Sequence, residues 1–467
     1  MFTKPVPARA PERTAPAMAP AFDIPPSADP NLAGTSPVGV RWADTTLVTA
    51  IGLAPARPVV RAHSAGGSAA VGGPDTAVDL NLLAAFRRSA RVPLSIDLAV
   101  TEHRYCGAGS IAAAYSRSLG SLPVAAARQT TIVLRLPAVT AVPPRAPGAT
   151  AAAVLGRAAL VTRRLAALLA AHGVRTHIFD AAALTDHTEQ LLGPPGAARR
   201  VFALTPATTP AHLRAVAADH AVAHTTALRL SGSAPHPRLD GLLGVTEVPR
   251  AGRALRAVPP GLDPLDDGAD DALADLVPTD AVRATALPDL AADPISLADW
   301  RFLLGDDGVL IGAAHDGSAV TAPLISSPDH PASVIGDPRF IALLVYRCIG
   351  AGAAINLHSP QPHRWARLVD LVDDPGVLAL GPARPGAAAL TRVDLFDESS
   401  EDAEHWQIRL RRAVGDRAAG DWEAGPAPRT VIRGSRADPR IDLVVDGRPH
   451  RLTGAASEPE RTLVAAL

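Results

Sequence analysis

The sequence predicts an α/β fold of two mixed α/β subdomains with partly parallel sheets and β-hairpins, preceded by a disordered N-terminal arm. Apolar stretches with helical and strand periodicity alternate in both halves of the chain, a succession typical of partly parallel sheets. Asp-Gly dipeptides between apolar runs indicate hairpins. With 467 residues, 47% of them hydrophobic, the chain is long enough to bury more than one core.

Changes in composition divide the chain into five segments. The first is rich in proline and alanine without a continuous apolar stretch, and another holds seven aspartates between Asp263 and Asp280. The ordered Asp, Gly and Glu spacing of a calcium loop is absent, so a solvated linker is favoured over a calcium site. The predicted segments are a disordered arm (1–37), a first domain (38–260), an acidic linker (261–285), a second α/β subdomain (286–400) and a C-terminal Arg-rich segment with a hairpin (401–467).

The first domain is predicted to begin with a hairpin and to continue through alternating helices and strands. Two apolar runs flank Ala43-Asp44, a plausible turn. The best strand signal is Thr130 to Leu136, which is rich in β-branched residues and is followed by Pro137. The predicted elements up to that point are strands at 38–42 and 47–51, a helix at 79–89, a strand at 94–100, a helix at 111–119 and the strand at 130–136.

A long helix and a second strand follow in the same domain. Thr150 is positioned to cap the helix, Gly173 to end it, and Val174 to Phe179 to form the strand after it. This strand, helix and strand succession favours a partly parallel sheet, and a further strand is predicted at 225–230. Apolar positions of the helix recur at steps of four and three, which predicts one buried face: Val154, Ala158, Val161, Leu165 and Leu168.

The second subdomain is predicted to open at Asp307-Gly308 with a hairpin that turns at Asp316-Gly317. Asp337 is a helix cap with Pro338 at the first helical position, and Ser359 is predicted to cap a second helix. The remaining predictions are strands at 309–314, 319–324, 353–357 and 377–380, and a C-terminal hairpin at 441–445 and 448–452.

Composition and missing motifs exclude several classes of function. Forty-five basic and forty-six acidic residues leave no excess positive charge for nucleic acid. Lys4 is the only lysine and lies in the arm, so a Walker phosphate loop, a kinase-type lysine and a pyridoxal Schiff base are excluded from the folded part. The sequence has no H-E-x-x-H or G-x-S-x-G motif and no apolar stretch of the roughly 20 residues that cross a bilayer.

Two cysteines and scattered histidines leave only weak candidates for a reactive or metal site. His103 precedes Cys106 by three residues, but no fixed sequence spacing defines a nucleophile pair. His220 and His224 are spaced to share a helix face and hold a metal weakly, although surface or packed histidines are favoured. The sequence therefore predicts neither a catalytic residue nor a cofactor or metal site.

Several of these segments resemble the EccE family of the bacterial type VII secretion machinery. The most specific is Arg128 to Arg135, which is similar to the family's R-R-T-W-x-V-L-R strand, with Thr131 where tryptophan is usual. Val40-Arg41-Trp42 and the helix ending at Gly173 are also similar. In the second subdomain the resemblance runs from Asp307 through Phe340-Ile341 to Ala351-Gly352-Ala353, so that it covers roughly 38–381.

The resemblance implies a non-catalytic scaffold subunit of an inner-membrane export complex, with EccB, EccC and EccD as partners. It implies a position at the cytoplasmic face of the inner membrane and supplies no catalytic residue or cofactor. The two membrane-spanning helices usual at the start of family members are missing. We therefore expect attachment through partners, or through helices encoded upstream of Met1.

Under the scaffold hypothesis, the candidate interface residues are Arg41, Trp42 and Arg128, because arginine and tryptophan are enriched at binding hot spots. The alternative for Trp42 is a place in the core, and for Arg128 a position that merely flanks its strand. The rival function is an α/β enzyme that binds a nucleotide or nucleotide-sugar, for which the alternation of strands and helices is the only support.

Overall fold

The computed structural model describes twenty stretches of the chain, and these define an α/β fold. The described residues are 19–24, 36–43, 45–64, 67–71, 76–90, 92–104, 109–138, 151–192, 199–218, 223–233, 237–246, 261–265, 287–290, 297–325, 331–380, 391–399, 406–412, 428–435, 438–454 and 456–465. They contain both helices and strands, and the sheets are partly parallel.

The strands in chain order are β1 (Ala21–Ile24), β2 (Val38–Ala43), β3 (Thr46–Pro55), β4 (Arg61–Ser64), β5 (Gly67–Ala70), β6 (Ala77–Asp79), β7 (Ser95–His103), β8 (Ala127–Pro137), β9 (Val174–Ile178), β10 (Arg199–Leu204), β11 (Ala223–Gly232), β12 (Pro237–Thr246), β13 (Leu262–Pro264), β14 (Arg301–Leu303), β15 (Val309–Ala313), β16 (Ala319–Ala322), β17 (Ala332–Gly336), β18 (Ala353–His358), β19 (Leu378–Leu380), β20 (Thr391–Asp397), β21 (Trp406–Arg412), β22 (Thr430–Gly434), β23 (Arg440–Val445) and β24 (Arg448–Thr453). The helices are α1 (Leu80–Ser89), α2 (Gly109–Leu119), α3 (Ala151–Ala171), α4 (Ala181–Leu192), α5 (Pro210–Ala218), α6 (Pro338–Gly350), α7 (Ala366–Val372) and α8 (Glu458–Ala465), with a 3-10 helix at Pro362–Trp365.

The first sheet has the strand order β1-β2-β3-β8-β7-β11-β12-β10-β13, with β9 also paired to β3. Ile51 of β3 lies between Ile132 of β8 and Ile178 of β9, and both pairings are antiparallel. Strands β8 and β9 therefore run in the same direction, as the strand, helix and strand succession predicted. They are separated by β3, however, so the parallel pairs of the structure are not found here.

Helix α3 crosses between β8 and β9 and packs on one face of this sheet. Its buried residues include Val154, Ala158, Val161 and Leu165, which confirms the predicted apolar face, while Leu168 is partly buried. Gly173 follows the helix with a φ of +78°, a conformation that a residue with a Cβ rarely adopts. The opposite face of the sheet is covered by α4 through Leu184.

The second sheet has the order β19-β18-β20-β21-β17-β22-β23-β24-β15-β16-β4-β5. Its parallel pairs are β17 with β22 and β18 with both β19 and β20. The predicted hairpins are present as β15 with β16 and β23 with β24. The second of these turns at Asp446 and Gly447, with φ of +49° and +79°, the left-handed pair that a two-residue hairpin requires.

Helix α6 covers one face of the second sheet, and its start was predicted in detail. Asp337 is the N-cap, its side chain accepts a hydrogen bond from Phe340 N at 2.8 Å, and Pro338 begins the helix. Ser359 is not a helix cap as predicted: the cap of the 3-10 helix is Gln361. The Ser359 hydroxyl instead accepts from Gln361 N and donates to Asp397, because the end of β20 lies beside it.

Each of the two hydrophobic cores contains residues from both predicted domains. The predicted boundary at 260 therefore does not separate the two cores. Strands β4 and β5 extend the second sheet through β16, and Tyr115 of α2 packs in the second core. In the reverse direction, Trp300 and Leu304 pack in the first core. The C-terminal segment is likewise no appendage, since β21 to β24 lie in the interior of the second sheet.

Parts of the predicted arm and linker are ordered strands. Ala21–Ile24 forms the edge strand β1 against β2, and Asp23 accepts a hydrogen bond from Ala181 N at 2.7 Å. Leu262–Pro264 forms β13 against β10. The rest of both predicted segments, apart from a few flanking residues, lies outside the described residues. None of the helices described is long and apolar enough to cross a bilayer.

Candidate functional site

Ionisable side chains from both sheets meet in a buried cluster where the two halves of the molecule join. We call this set the junction cluster. Its members come from β4, β7, β8, β11 and the loop that follows β14: Arg61, Glu102, Arg128, His224 and Asp307. The side chains of Arg61, Arg128 and Asp307 are at most 6% exposed, so their charges depend on one another for neutralisation.

Asp307 is the centre of the junction cluster. Its Oδ1 accepts from Arg61 Nη1 at 2.9 Å and from Arg128 Nη1 at 3.0 Å. Its Oδ2 accepts from Arg128 Nη2 at 3.1 Å and from Ala125 N at 2.7 Å. The carboxylate is therefore bidentate to one guanidinium, shared with a second, and bound to the backbone, a geometry that strengthens charge-assisted hydrogen bonds.

Arg128 connects Asp307 to the first sheet. Its Nε donates to Glu102 Oε1 on the neighbouring strand, and Glu102 Oε2 lies 2.6 Å from His224 Nε2 on the next strand. Arg128 Nη1 also donates to Gly305 O at 2.6 Å. A continuous chain of hydrogen bonds thus runs from β11 across β7 and β8 to the loop of the second half.

The surrounding charges favour the ionised forms of Asp307, Glu102 and Arg128. Burial acts to raise the pKa of Asp307, but Arg128 and Arg61 outweigh it, and the pKa lies below its usual range. Burial also acts to raise the pKa of Glu102, but the attraction of Arg128 and His224 outweighs it and lowers the pKa. For Arg128 burial acts to lower the pKa, and Asp307 and Glu102 together raise it.

Two glycines shape the loop that carries Asp307. Gly305 and Gly308 have φ of +77° and +83°, which other residues rarely adopt. A Cβ on Gly308 would lie 2.1 Å from Ala322 O, so the loop approaches the hairpin more closely than a side chain allows. This path turns Leu304 O toward Arg61 Nη2, which donates to it at 2.9 Å.

The structure separates the three candidate interface residues. Arg41 is 1% exposed and Arg128 belongs to the junction cluster, so neither offers its guanidinium to a partner. Trp42 is half-buried and packs against the first core. Across β3, Arg41 is in register with Arg135, seven residues from Arg128 or roughly 23 Å along the strand. Burial therefore leaves only Trp42 with a surface to offer.

The histidine candidates lie in other surroundings than the sequence suggested. His224 is on strand β11, where it pairs with Glu102, and not on a helix with His220, which lies outside the described residues. His103 is on β7, and Cys106 is also outside them. In the described part of the chain no three His, Cys, Asp or Glu side chains are grouped to hold a metal.

His187 of α4 is a buried histidine that the sequence did not single out. It is 3% exposed, its Nδ1 accepts from Gln129 Nε2 at 3.1 Å, and Phe179 contacts it edge-on with ring centroids 5.1 Å apart. Burial lowers the pKa of this imidazole to about 4. His187 is therefore neutral in the folded protein well below neutral pH.

We expect His187 to make the fold sensitive to mild acid. Because its folded pKa of about 4 lies below the ordinary value of 6.5, the unfolded chain takes up the proton first as pH falls. Stability is then lost between those two values, by about 2 kcal/mol at pH 5. His187→Gln should lose that much less stability between pH 7.5 and pH 5 in urea unfolding, while the exposed His315→Gln behaves as the wild type. Equal losses for all three proteins would contradict this role.

Two further sets of buried ion pairs stabilise the halves separately. Asp97, fully buried in the first sheet, accepts from Arg135 Nε and Arg229 Nε, each at 2.7 Å. In the second half, Arg347 donates to both carboxylate oxygens of Glu460, at 2.7 and 3.0 Å. These ion pairs each lie within one half of the molecule, whereas the junction cluster joins the two halves.

A pocket of about 380 Å³ lies at the carboxyl ends of the parallel strands β17 and β22. Phe340 and Ile441 line its apolar part, and Arg339, Asp438 and Arg461 contribute charged groups. Ligands of open α/β sheets commonly bind at such strand ends. Here, however, the N–H of Phe340 at the start of α6 is already bound by Asp337.

The sequence singled out Arg128 as a candidate interface residue, but it did not indicate the partners that Arg128 has in the junction cluster. Asp307 was interpreted only as the start of a hairpin. It is separated from Arg128 by 179 positions and from Arg61 by 246, so no local pattern indicates that these residues meet. The one local signal was its position between Gly305 and Gly308, which indicates an unusual backbone path. No family model matches this chain, and the search of curated proteins found no match.

Proposed function

We propose that this chain is a non-catalytic scaffold subunit of a type VII secretion membrane complex, positioned at the cytoplasmic face of the inner membrane beside EccB, EccC and EccD. The family assignment is supported by the sequence resemblance between 38 and 381, above all at Arg128 to Arg135. The structure adds one independent argument, which concerns how the two halves are held.

The observation that carries the proposal is the junction cluster. Asp307 from one half neutralises Arg128 of the other, and Arg61 reaches the same carboxylate from the second sheet. Breaking this contact would leave charges buried without a partner, so the halves are held in one fixed arrangement. A subunit that positions its neighbours needs such a fixed body, whereas domain closure around a substrate needs a junction that opens.

Arg128, the first residue of the segment most similar to the family, has a structural role. Arg128 begins the strand most similar to the family, and its guanidinium binds Asp307, Glu102 and Gly305 O. We therefore assign to Arg128 the task of fixing the body rather than contacting a partner. Trp42 remains the candidate contact residue of the original three.

The nucleotide-binding alternative is favoured by the pocket beside α6. Its charged lining is mixed, with Asp438 as well as Arg339 and Arg461, and the N–H of Phe340 in the first turn of α6 is taken by Asp337, so a phosphate would meet only part of a helix N-terminal site. The scaffold proposal accounts for the junction cluster, and the alternative does not.

The proposal is tested by purifying a tagged chain, after mild crosslinking, from cells that encode it. We expect EccB, EccC and EccD to co-purify with the wild type, and recovery to fall with Trp42→Ala but not with Trp42→Phe, which keeps an aromatic ring in the first core. Absence of all three components would refute the proposal. So would a rise of several degrees in melting temperature with a saturating nucleotide, since ligand at a hundred times its Kd stabilises by about 2.7 kcal/mol.

A further inference from the structure

Between β20 and β24 the second sheet has one buried face and one charged face. Alternate residues of its strands point to opposite sides, and those on the inner side, such as Val393, Leu410 and Ile432, are fully buried beside α6. On the six strands from β20 to β24 the residues between them are exposed or half-buried, apart from Ser333 of β17, which is 4% exposed. We call the arginines on this outer side the basic face: Arg392, Arg409, Arg411, Arg433, Arg440 and Arg451.

The strand register places these arginines on a common surface. Arg433 pairs across β22 and β23 with Asp442, and Asp442 pairs with Arg451 of β24. Arg411 of β21 is opposite Asp394 of β20. The face spans six adjacent strands from β20 to β24, roughly 24 Å at the usual strand spacing.

Positive charge is in excess on this surface. Among the described residues of this surface, six arginines are accompanied by three carboxylates, those of Asp394, Asp442 and Glu398, the last of which binds Arg409 at 2.8 Å. The whole chain has a net charge of −1, so the excess of positive charge is local to this surface. Where arginines of this face are directly in register with a charged residue, that residue is an aspartate, so the excess lies in the arginines without such a cross-strand partner and an anionic surface would complement it.

We propose that the basic face binds the headgroups of anionic phospholipids and holds the folded body against the membrane surface. The arginines are distributed in two dimensions over five strands, which suits a surface of many separate negative charges. A nucleic acid backbone, in contrast, follows a single track and is usually accompanied by aromatic platforms. On the outer side of the described strands, Phe396 of β20 stacks on His358 of the neighbouring β18 at the margin of the face.

The inference rests on the proposed function for its biological setting, because it gives the scaffold subunit its own membrane contact. It does not depend on partner proteins, since the purified chain alone is sufficient to measure lipid binding. Failure of vesicle binding and failure of the partner pull-down are therefore separate results.

The test is co-sedimentation of the purified full chain with vesicles of phosphatidylglycerol and phosphatidylcholine in equal parts, and with vesicles of phosphatidylcholine alone. We expect binding to the anionic vesicles only, weakened by added salt. The triple variant Arg392→Gln, Arg433→Gln, Arg451→Gln changes three exposed side chains of the face. Its affinity should fall about 100-fold, from about fivefold for each arginine.

The matched control removes the same charge elsewhere: Arg164→Gln, Arg175→Gln, Arg367→Gln, three exposed arginines on α3, β9 and α7. It should bind anionic vesicles as the wild type does, and circular dichroism checks that both triple variants are folded. Equal loss in both variants would overturn the proposal, as would equal binding to the two kinds of vesicle or none to either. Displacement from vesicles by single-stranded nucleic acid at a lower concentration than by free phosphatidylglycerol micelles would overturn it in favour of nucleic acid.

Discussion

Asp307→Asn is expected to lower the free energy of unfolding by about 3–5 kcal/mol, the usual cost of removing one partner from a buried ion pair. The substitution nearly preserves the shape of the side chain, so the loss comes from charge. Arg61 and Arg128 would remain buried, with side-chain exposures of 0% and 6%, and would lose the carboxylate that both of them bind. Ala125 N would lose a charged acceptor as well.

The measurement is equilibrium unfolding in urea, with Asp316→Asn in the exposed hairpin turn as the matched control, expected to unfold at the wild-type midpoint. Combining Asp307→Asn with Arg61→Met should recover part of the loss, because one of the unpaired charges is then removed. An unchanged midpoint in Asp307→Asn would show that the junction cluster does not hold the halves together.

Glu460→Gln is expected to release helix α8 from the second core. Glu460 is fully buried, and its carboxylate binds Arg347 through both oxygens. It also accepts from Ser457 N at 2.8 Å, the reciprocal contact of a capping box. A neutral amide would leave the Arg347 charge buried and weaken the cap, at a combined cost of about 3–5 kcal/mol.

Because α8 contacts mainly helices α6 and α2 and pairs with no strand, that cost is relieved by local undocking before the whole fold is lost. Hydrogen exchange should therefore accelerate at the amides of α8 in Glu460→Gln, while those of β17 and β18 keep their protection. Glu458→Gln, at an exposed position in the same first turn, should exchange as the wild type does. Uniform acceleration across both sheets would instead indicate that α8 and the core unfold together.

The features predicted well from sequence depend on neighbouring residues. The Asp337 cap, the turn at Asp446-Gly447 and the buried face of α3 are each determined within a few residues, by hydrogen bonds or periodicity. About half of the observed strands were not predicted. Two of them, β1 in the proline-rich arm and β13 in the acidic linker, lie in segments predicted to be unstructured, because their pairing partners and not their composition make them strands.

The candidate site was mostly invisible in the sequence because its contacts are long-range. Arg128 was singled out as a candidate interface residue or as a residue flanking its strand, but its contact with Asp307, 179 positions later, was not predicted. Hydrophobic periodicity indicates which face of a strand is buried and not which charges meet across a junction. The exchange of segments between the two cores escaped prediction for the same reason.

That exchange constrains how the protein is made. Strand β4 has its sheet partner β16 about 250 residues later, and the hydroxyl of Tyr115 accepts from Leu310 N, 195 positions away. At translation rates of about 5–20 residues per second, β16 is synthesised roughly 10–50 s after β4. The nascent N-terminal half therefore emerges with one edge of the β4-β5 hairpin unpaired and with apolar residues not yet buried, and holdase chaperones bind such surfaces during synthesis.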